Sequence, residues 1–364
     1  MATLADVARR AGVSKSTVSR VVRGAAHVSD KVRSRVLRAI EDTDYRPNEL
    51  ARGLVTGAQR LAAVIVPDIR IEFFARVVHG VEEALRPDRY LVLVLNSGEG
   101  IRRLRECVSA AMGTRVAGIV VVPTGPDREL RRTFASLPVP AVSVIREPWA
   151  AEVDAVSYDN RAAGYMAAEH LLDLGHREVA YLEGPHASKA VRLRTDGFLQ
   201  ALRDRDLKLP DALRGVGDLT YGSGRKQAAE WIASGLRFTA AFAANDAMAL
   251  GIIDQLTLAG IHVPDDVSVI GVDDSLAASW PTVNLTTVRE VPEEMGSRAA
   301  LILRDRIEGW KSPPVQLVFR PELIRRATTR PVKVHRAAVE APGRQRAEAT
   351  EPKERTRWGS AETR

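Results

Sequence analysis

Apolar residues near the start of the chain are spaced as they are in short amphipathic helices. In the segment TLADVARRAGVSKSTVSRVVR, residues 3–23, the first of them lie three and four positions apart, at Leu4, Val7, Ala8 and Ala11. A second set follows after a short break, at Val18, Val21 and Val22. Apolar positions that recur every three to four residues predict a helix with one buried face. The segment therefore predicts two short helices joined by a tight turn.

Polar and small residues mark the ends of these two helices. Thr3 and Asp6 have the spacing of a capping box, and Ser14 offers a side-chain oxygen to cap the second helix. Gly12 suits the position just past a helix, where the backbone often needs a positive φ. The pattern is typical of a helix-turn-helix. It leaves four polar residues on the outer face of the second helix, Lys15, Ser16, Ser19 and Arg20.

A third helix is predicted after Ser29, which can cap it. Its apolar residues are expected to point one way, at Val32, Val36, Leu37 and Ile40. Its basic residues are expected to meet phosphates, at Lys31, Arg33, Arg35 and Arg38. Pro47 should then break any continuation, and the weakly helical segment NELARGLVTG follows it.

From residue 61 the pattern changes to short, continuous apolar runs. There are about seven of them: LAAVIV, YLVLVL, VAGIVVV, PAVSVI, VAYLEG, TAAFAA and VSVIGV. Helical patterns lie between them, at residues 74–85, 161–174 and 246–260. Aliphatic strands that alternate with helices are typical of parallel sheets. Seven strands would overfill one small sheet, so we expect two doubly wound lobes with a cleft between them.

Charge is concentrated at the two ends of a chain whose composition is ordinary for a globular protein, with 45% hydrophobic and 27% charged residues among 364. Residues 1–60 contain 12 Lys and Arg against 6 Asp and Glu, and residues 331–364 contain 8 against 5. The body between them is close to neutral. A basic end on a neutral body favours a protein that touches a polyanion with that end.

Three further features limit the interpretation. The sequence has no apolar signal segment and no run of 18 apolar residues, so we expect a cytoplasmic, nucleoid-associated protein. The single cysteine, Cys107, is expected to be a packed, unreactive side chain. The tail from residue 331 has little to bury and is expected to be disordered; its charge either attracts DNA weakly or has no role.

Three motifs in the N-terminal region closely resemble the DNA-binding headpiece of the lactose/galactose repressor (LacI/GalR) family. They are DVARRAGVSKSTVSRVV at residues 6–22, HVS at 27–29 and YRPN at 45–48. In the body, HLLDLGH at 170–176, NDAMALG at 245–251 and VSVIGVDD at 267–274 match motifs of the same family. The resemblance covers the chain from Thr3 to about Arg326.

The resemblance implies an all-α helix-turn-helix headpiece and an α/β body of two doubly wound lobes of the periplasmic-binding-protein type I. The implied divisions are a headpiece at 1–46, a hinge helix or linker at 47–58, a two-lobed effector-binding and dimerisation domain at 59–330, and a disordered tail at 331–364. The tail has no repeat of leucines at coiled-coil spacing, so a homodimer is expected.

The family's DNA contacts map onto residues of the headpiece and the hinge. The implied DNA-binding residues are Thr3, Lys15, Ser16, Thr17, Ser19, Arg20, Asn48, Ala51 and Leu54. Lys15 and Ser16 would choose bases in the major groove, and Arg20 would read guanine or anchor a phosphate. Leu54 matches the hinge leucine that enters the minor groove and kinks the duplex; alternatively, it packs on the body.

Polar residues follow the predicted strands at the edge where doubly wound sheets bind ligands. Carboxylates and amides there can bond adjacent hydroxyls, and aromatic faces can cover the apolar surface of a sugar. Arg194 matches the family arginine that grips the ligand. The expected effector-binding residues are Asp68, Phe73, Phe74, Asp159, Arg194, Leu219, Asn245, Asp273 and Trp280. Alternatively, Asp159 and Asp246 cap the helices that follow them, and Phe74 is a core residue.

Two positions depart from the pattern of sugar-binding members. Leu219 stands where several members carry an aromatic residue, and Ile145 stands where some members carry an acid. Trp280 or Trp149 could supply the missing aromatic face. These differences leave the identity of the effector open, although a sugar or a sugar-like molecule fits best.

The sequence predicts a binding protein rather than an enzyme. It lacks a phosphate-binding glycine loop and the GxSxG, HExxH and CxxC motifs, so no metal or other cofactor is expected. The predicted function is a ligand-responsive transcriptional repressor of carbohydrate-use genes that binds a pseudopalindromic operator as a dimer, with the effector in the cleft between the lobes altering the docking of the hinge helix and headpiece. No membrane partner is expected. Two alternatives remain: a periplasmic-type small-sugar binding protein, or an architectural DNA binder with a vestigial cleft.

Overall fold

The computed structural model describes residues 2–22, 28–45, 60–98, 100–123, 127–145, 153–186 and 188–332. The chain divides into two compact units. The first contains the headpiece and a lobe built around one six-stranded sheet, and the second contains a lobe built around another. The prediction of a helical headpiece followed by two α/β lobes is therefore confirmed.

The headpiece consists of three helices around a small core. They are α1 at Leu4–Ala11, α2 at Lys15–Val22 and α3 at Asp30–Thr43. Each helix contributes one fully buried valine, at Val7, Val18 and Val36. The predicted capping box is present, because the Asp6 amide donates to the Thr3 hydroxyl at 3.3 Å and the Thr3 amide donates to the Asp6 carboxylate at 2.9 Å. Gly12 ends α1 with φ at 59°, as predicted.

Two details of the predicted third helix are wrong. Leu37 is 48% exposed, and Ala39 is buried in its place. Each helical residue is rotated by about 100° from the one before it, so Leu37 leaves the buried stripe when Val36 enters it. Ser29 precedes the helix, but its side chain makes no capping hydrogen bond.

The body alternates strands and helices. Its strands, in chain order, are β1 Leu61–Val66, β2 Leu91–Asn96, β3 Gly118–Val121, β4 Ala141–Ile145, β5 Asp154–Tyr158, β6 Val179–Glu183, β7 Arg214–Val216, β8 Ala240–Ala243, β9 Ser268–Asp273, β10 Thr286–Arg289, β11 Gln316–Phe319 and β12 Glu322–Ile324. Its helices are α4 Glu72–Leu85, α5 Ile101–Gly113, α6 Asp127–Ala135, α7 Asn160–Asp173, α8 Lys189–Arg203, α9 Tyr221–Ala233, α10 Asp246–Leu258 and α11 Pro292–Ile307. Two short 3₁₀ turns lie at Asp211–Leu213 and Ala277–Ser279.

The sheet of the first lobe has the strand order β11-β5-β4-β3-β1-β2, and its neighbouring strands pair in parallel. Five of the six residues of β1 are buried, as expected for a strand covered on both faces. Strand β2 forms one edge, and its side chains are partly exposed, with Leu91 at 56%.

The sheet of the second lobe has the order β12-β10-β9-β8-β6-β7, and its strands from β6 to β10 pair in parallel. Three aromatic rings fill its core, those of Tyr181, Phe198 and Phe242. The rings of Tyr181 and Phe242 stack with their centroids 4.9 Å apart. This aromatic cluster fixes the packing of α8 on the strands.

The predicted number of strands was too low, since twelve are seen in the described residues. The missed strands include β7, β10 and β12, which are only three or four residues long and contain charged or hydroxyl side chains. Short strands of this composition do not produce an apolar run. The seven predicted runs all form strands, with ends that differ from the prediction by at most two residues.

Glycines allow two pairs of helices to pack with their backbones in contact. A Cβ on Gly224 of α9 would lie 2.2 Å from the Met248 carbonyl oxygen of α10, and a Cβ on Gly251 would lie 2.1 Å from the Tyr221 oxygen. In the first lobe, Gly80 of α4 and Gly296 of α11 meet the facing helix in the same way. Such distances exclude any side chain, so these glycines set the helix spacing. None of the described helices is long and apolar enough to span a membrane.

Candidate DNA-reading surface and effector site

Helix α2 has one buried apolar face and one exposed polar face. Val18 and Val21 are buried in the headpiece core, whereas Lys15, Ser16 and Arg20 are exposed. The exposed residues include the first two of the helix and one residue of its last turn. In a recognition helix, the N-terminal residues reach base edges in the major groove. The three exposed side chains are all able to donate hydrogen bonds to bases or phosphates.

The start of α2 is held by a hydroxyl network. The Ser14 hydroxyl accepts from the Thr17 amide at 3.1 Å, which confirms the predicted cap. The same hydroxyl is hydrogen-bonded to Ser16 Oγ at 2.7 Å and to Thr17 Oγ1 at 2.8 Å. Hydroxyl groups rotate freely enough to exchange these partners for phosphate or base acceptors.

The other residues predicted to contact DNA either make hydrogen bonds within the headpiece, are half-buried, or lie outside the described residues. Thr3 is exposed, and its hydroxyl donates to Asp6 at 2.7 Å within the capping box. This hydrogen bond lowers the pKa of the Asp6 carboxyl. Ser19 is half-buried on α2. The hinge residues Asn48, Ala51 and Leu54 lie outside the described residues, so their roles stay predictions.

Each lobe has a point where its strand order reverses. The reversal falls between β1 and β3 in the first sheet and between β6 and β8 in the second. Crossover helices leave opposite faces of a sheet there, which opens a crevice at the carboxyl ends of the strands. Asp68 follows β1, and Asn245 follows β8. The sequence prediction therefore placed one polar residue beside the reversal in each lobe.

In the first lobe, Asp68 is bound by a neighbouring arginine. Its carboxylate accepts from the Arg70 guanidinium at 2.7 Å and from the Arg70 amide at 3.0 Å. These bonds lower the pKa of the Asp68 carboxyl. Phe73 and Phe74 lie in the first turn of α4 with ring centroids 5.6 Å apart in an edge-to-face arrangement, and both are half-buried.

Asp159, which follows β5, caps α7. Its Oδ1 accepts from the Ala162 amide at 2.9 Å, at the start of α7. This observation agrees with the alternative interpretation of Asp159 as a helix cap. The second carboxylate oxygen leaves the residue able to accept a further hydrogen bond.

In the second lobe, a buried arginine reaches the reversal point. Arg194 of α8 is only 5% exposed, and its guanidinium donates to the carbonyl oxygen of Ala244, immediately after β8. The helix α7 packs closely behind it, since a Cβ on Gly164 would lie 1.9 Å from the Arg194 carbonyl oxygen. Gly164 thus fixes the position of the backbone that carries the Arg194 side chain. The sequence analysis did not identify Gly164 as a residue of the site.

Asn245 joins two of the loops at this edge. Its side-chain oxygen accepts from the Met248 amide at 3.0 Å and so caps α10, and its amide nitrogen donates to the Leu219 carbonyl oxygen at 3.0 Å. Leu219 has φ at 67°, a conformation that a non-glycine residue rarely adopts. Arg194, Leu219 and Asn245 are therefore linked through residues 244–245.

The loop after β9 is unusual because two consecutive residues have positive φ. The values are 131° for Asp273 and 54° for Asp274. Asp274 accepts hydrogen bonds from Arg289 Nε at 2.8 Å and from the Arg326 guanidinium, and the two cations lower the pKa of its carboxyl. Asp273 is half-buried at the end of the strand.

Asp246 is the most buried acid at this edge of the sheet. The only role that the sequence suggested for it was that of a cap for the helix that follows. It is fully buried, its Oδ2 accepts from the Ser275 amide at 2.8 Å, and its Oδ1 accepts from the Thr287 hydroxyl at 2.6 Å. Asn245 caps the helix instead, so the alternative of an Asp246 cap is wrong. The partners come from β10 and the loop after β9, which no local pattern brings together.

Trp280 differs from the other predicted effector residues in its exposure. It follows the second 3₁₀ turn and is 52% exposed. Leu276, in the same loop, is 68% exposed. The loop 276–280 thus presents apolar side chains on the surface of the second lobe.

Among the described residues, one group has side chains close enough to share a metal ion. His79, Glu82 and Glu83 on α4 have ligand atoms within 4.8 Å of one another. Arg86 binds Glu82 at 2.7 Å and also contacts Glu83, so one cation already pairs with both carboxylates of this cluster. The arrangement is that of an ion-pair network on an exposed helix face.

Comparisons with known proteins match both parts of the chain. The family model described as "Bacterial regulatory proteins, lacI family" matches residues 3–48, and the model described as "Periplasmic binding protein-like domain" matches residues 168–329. The ribose operon repressor of Escherichia coli (strain K12) is 31% identical over 331 residues, which cover 90% of this chain and 100% of that protein.

Solved structures of regulators share the fold. The lac repressor dimer bound to operator and the anti-inducer ONPF matches with a TM-score of 0.81 and 29% identity, over 90% of this chain and 99% of that one. The transcriptional regulator CelR in complex with cellobiose matches with a TM-score of 0.67 and 31% identity, over 90% and 100%. The chain therefore belongs to the lacI family of bacterial regulatory proteins.

Proposed function

We propose that this chain is a transcriptional repressor that binds a pseudopalindromic operator as a homodimer and responds to a sugar or a sugar-like effector. The observation that carries the proposal is the outer face of α2, where Lys15, Ser16 and Arg20 are exposed above a buried valine pair. This helix supplies hydrogen-bond donors at the end that enters the major groove. The basic N-terminal region supplies the nonspecific attraction to phosphates.

The experiment that tests DNA recognition is selection of bound duplexes from a random pool with the full chain. A symmetric dimer places two identical headpieces on the DNA, so the enriched sequence should contain two inverted half-sites. Enrichment of one unpaired half-site would contradict the dimer, and no enrichment would contradict sequence-specific recognition. The hinge residues Asn48, Ala51 and Leu54 are proposed to add a minor-groove contact; in that case, Leu54→Ala should weaken binding to the selected site.

The effector is proposed to contact polar residues at the carboxyl ends of the strands. In the second lobe these are Asn245, which follows β8, Asp273, which ends the neighbouring strand β9, and Arg194 of α8, which donates to the Ala244 carbonyl oxygen beside Asn245. In the first lobe they are Asp68 and Asp159. Carboxylates and amides with fixed backbones suit adjacent hydroxyl groups, and a guanidinium fork suits hydroxyls or a carboxylate. The names of two relatives, a ribose operon repressor and a cellobiose-bound regulator, favour sugars as first probes.

A thermal-shift screen of D-ribose, cellobiose and nucleosides tests the effector class. A ligand that binds only the folded protein raises its Tm with concentration. A hit that disappears in Asp273→Ala and in Arg194→Ala would support the proposed site. A hit that survives both changes would place the ligand elsewhere.

Effector binding is proposed to act on DNA binding through a population shift. A ligand moves an equilibrium only through its different affinities for the two states, and the coupling must be reciprocal. The sign of the response, induction or co-repression, depends on which state the effector prefers. In this proposal the body is a binding module that catalyses no reaction. The protein would act in the compartment that holds the DNA.

An architectural DNA binder with a vestigial effector site is the remaining alternative. The strained backbone of Asp273 and Asp274 at the end of β9 argues against it, because strain of this kind clusters at ligand-binding sites and switch regions. The absence of any hit in the screen, together with weak sequence preference in the selection, would favour the architectural alternative.

A further inference from the structure

A fully buried carboxylate lies beneath the loop that presents Asp273. It belongs to Asp246, the first residue of α10. Both of its oxygens accept hydrogen bonds, one from the Ser275 amide at 2.8 Å and the other from the Thr287 hydroxyl at 2.6 Å. A buried carboxylate is tolerated only when such donors replace the water it has lost. The donors here come from the loop after β9 and from β10.

The loop that Asp246 binds is strained. Asp273 and Asp274 both have positive φ, at 131° and 54°, and neither is a glycine. Conformations of this kind persist only where the surrounding contacts over-determine them. A loop with this backbone therefore needs anchors on both sides of the strained pair.

The anchors converge on Asp246. The Ser275 amide donates to it directly, and the Asp274 amide donates at 3.4 Å to the Thr287 hydroxyl, which in turn donates to Asp246. The Asp274 carboxylate is bound separately by Arg289 and Arg326. Two successive backbone amides thus depend on one carboxylate, while the side chain between them depends on two arginines.

The sheet leaves space for this carboxylate. A Cβ on Gly271 of β9 would lie 2.3 Å from Asp246 Oδ1, so a larger residue there would displace the acid. The carboxylate occupies the volume that a side chain of the strand would otherwise fill. Its position is therefore set by the strand as well as by its hydrogen bonds.

We infer that Asp246 is a positioning residue for the effector: its carboxylate holds residues 273–275 in the strained conformation that presents the Asp273 carboxylate to the ligand. The inference rests on the proposed function, in which Asp273 accepts hydrogen bonds from an effector hydroxyl. Asp246 itself is buried and does not touch the ligand. Its effect on binding passes through the backbone of the loop.

The charge of Asp246 gives the inference a distinctive pH signature. Burial raises the pKa of Asp246 to about 7, and the neighbouring Asp274 adds to the rise. The other charged groups nearby are Arg289 and Arg326, which bind Asp274. Hydrogen bonds to an ionised acceptor are stronger than those to a neutral one, so the loop is held more tightly when Asp246 is ionised. Effector affinity should accordingly fall as the pH falls through 7.

The first test measures the loop without any effector. Protection factors for amide hydrogen exchange are measured for residues 274–276 in the full chain, in wild type, Asp246→Asn and Asp246→Ala. We expect protection of the Ser275 amide to fall about tenfold in Asp246→Asn, since a charge-assisted bond becomes a neutral one. Asp254→Asn is the matched control, because Asp254 lies on the same helix, pairs with Arg225 at 3.1 Å and is 40% exposed. Unchanged protection in Asp246→Asn would overturn the inference; this variant keeps the side-chain shape should Asp246→Ala fail to fold.

The second test measures binding of D-ribose and cellobiose by calorimetry between pH 6 and pH 8.5. Wild type should lose affinity on the order of fivefold as the pH falls through 7, and Asp246→Asn should bind weakly with no such dependence. A residue with only a structural role would leave the pH profile unchanged. A wild-type pH dependence retained in Asp246→Asn would overturn the inference.

Asp273→Ala separates this inference from the proposed function. Full binding in Asp273→Ala would show that the effector site is elsewhere, while the exchange measurement would still decide whether Asp246 holds the loop. If neither sugar binds wild type, the protection factor of the Ser275 amide is followed from pH 6 to pH 8.5 instead. A decrease below pH 7 in wild type, absent in Asp246→Asn, is then the expected result, and a flat profile would contradict it.

Discussion

In the headpiece, the groups proposed to read DNA project from one eight-residue helix, whereas in the second lobe the groups proposed to hold the effector come from separate segments of the chain. Lys15, Ser16 and Arg20 are exposed, so we expect their replacement to leave the core intact. Arg194 and Asp246 are buried and bonded to the backbone of other loops. Substitutions on the outer face of α2 can therefore change DNA specificity without changing the fold of the headpiece. Substitutions of Arg194 or Asp246 would also disturb the packing of the second lobe.

The difference has a physical cause. A recognition helix needs only a short apolar stripe to fix it, and the opposite face stays available for any side chain. A ligand site at the carboxyl ends of strands is formed by several loops, and each loop must be held in place. The side chains that hold these loops are themselves buried in the core of the lobe. Mutations should therefore separate recognition from stability in the headpiece, and should affect both in the second lobe.

The largest expected effect comes from breaking the headpiece core. Val18→Asp places a charge among six other buried side chains, at a cost of several kcal/mol that a small helical unit does not withstand. We expect the affinity for the selected DNA to fall more than about a hundredfold, because about 3 kcal/mol corresponds to that factor. Fluorescence anisotropy with a labelled duplex measures the loss.

Leu37→Asp is the control for this change. It introduces the same charge on the same headpiece, at a side chain that is 48% exposed. It should preserve the helical content of the headpiece and most of the affinity. Equal losses in the two variants would mean that the core does not fix α2, which would contradict the first half of the comparison.

The next largest effect concerns the helix spacing in the second lobe. In Gly224→Ala the new methyl group would lie 2.2 Å from the Met248 carbonyl oxygen, so α9 and α10 must separate. We expect the free energy of unfolding to fall by about 2–3 kcal/mol, as in other overpacked cores. Urea unfolding followed by circular dichroism measures it.

Gly222→Ala provides a control on the same helix. Its Cβ would meet only the Thr220 hydroxyl oxygen, at 3.8 Å. Alanine is the better helix former, so this change should raise the free energy of unfolding by up to about 1 kcal/mol. Destabilisation of similar size in both variants would contradict the close backbone contact.

A smaller effect depends on pH. Burial lowers the pKa of His170 to about 4, below the 6.5 of an exposed imidazole, while its Nε2 is hydrogen-bonded to Thr329 Oγ1 at 2.9 Å. The unfolded chain then binds more protons than the folded one between pH 6.5 and pH 4, so stability should decline as the pH falls through this range. We expect His170 to account for about 2 kcal/mol of that decline.

Unfolding of His170→Gln between pH 4 and pH 7.5 tests this expectation. The variant should be less stable at pH 7.5 but should lose less stability on acidification than wild type does. His79→Gln, at an exposed position on α4, should keep the wild-type slope. Parallel profiles for His170→Gln and wild type would rule out His170 as a source of the acid sensitivity.

The smallest expected effect is a change of specificity in the headpiece. Replacing Lys15 and Ser16 together by alanine should relax the base preference at one or two positions of each half-site, at about 1 kcal/mol per position. Repeated selection from random duplexes measures the preference. Arg103→Ala removes an exposed charge from the first lobe and should leave it unchanged. An unchanged preferred sequence in the double variant would refute the base-reading role of these two residues.

Local patterns predicted much of the fold. The capping box at Thr3 and Asp6, the positive φ of Gly12 and the apolar strands are properties of adjacent residues, and all were confirmed. Leu37 was wrongly predicted to be buried. It is adjacent to Val36, and two adjacent residues of a helix point about 100° apart, so only one of them lies at the centre of the buried face. The short strands β7 and β10 were missed because their stability comes from their neighbours in the sheet rather than from their own composition.

The candidate effector site was only partly predictable for the same reason. The rule that ligands lie beyond strand ends correctly pointed to Asp273 and Asn245 as residues at the edge of the sheet. The positions of Ser275 and Thr287 around Asp246 depend on strand order, which no run of adjacent residues encodes. Gly164 and Gly271 were equally hidden, since their importance lies in the atoms that a side chain would meet.

The most direct test of the account is the coupling between DNA and effector. The affinity of the full chain for the selected operator is measured with and without the sugar identified by the thermal-shift screen, and the affinity for that sugar is measured with and without operator. The account predicts that the two ratios are equal and differ from one, by about 5- to 150-fold for a typical allosteric regulator. A ratio of one in both directions would contradict it.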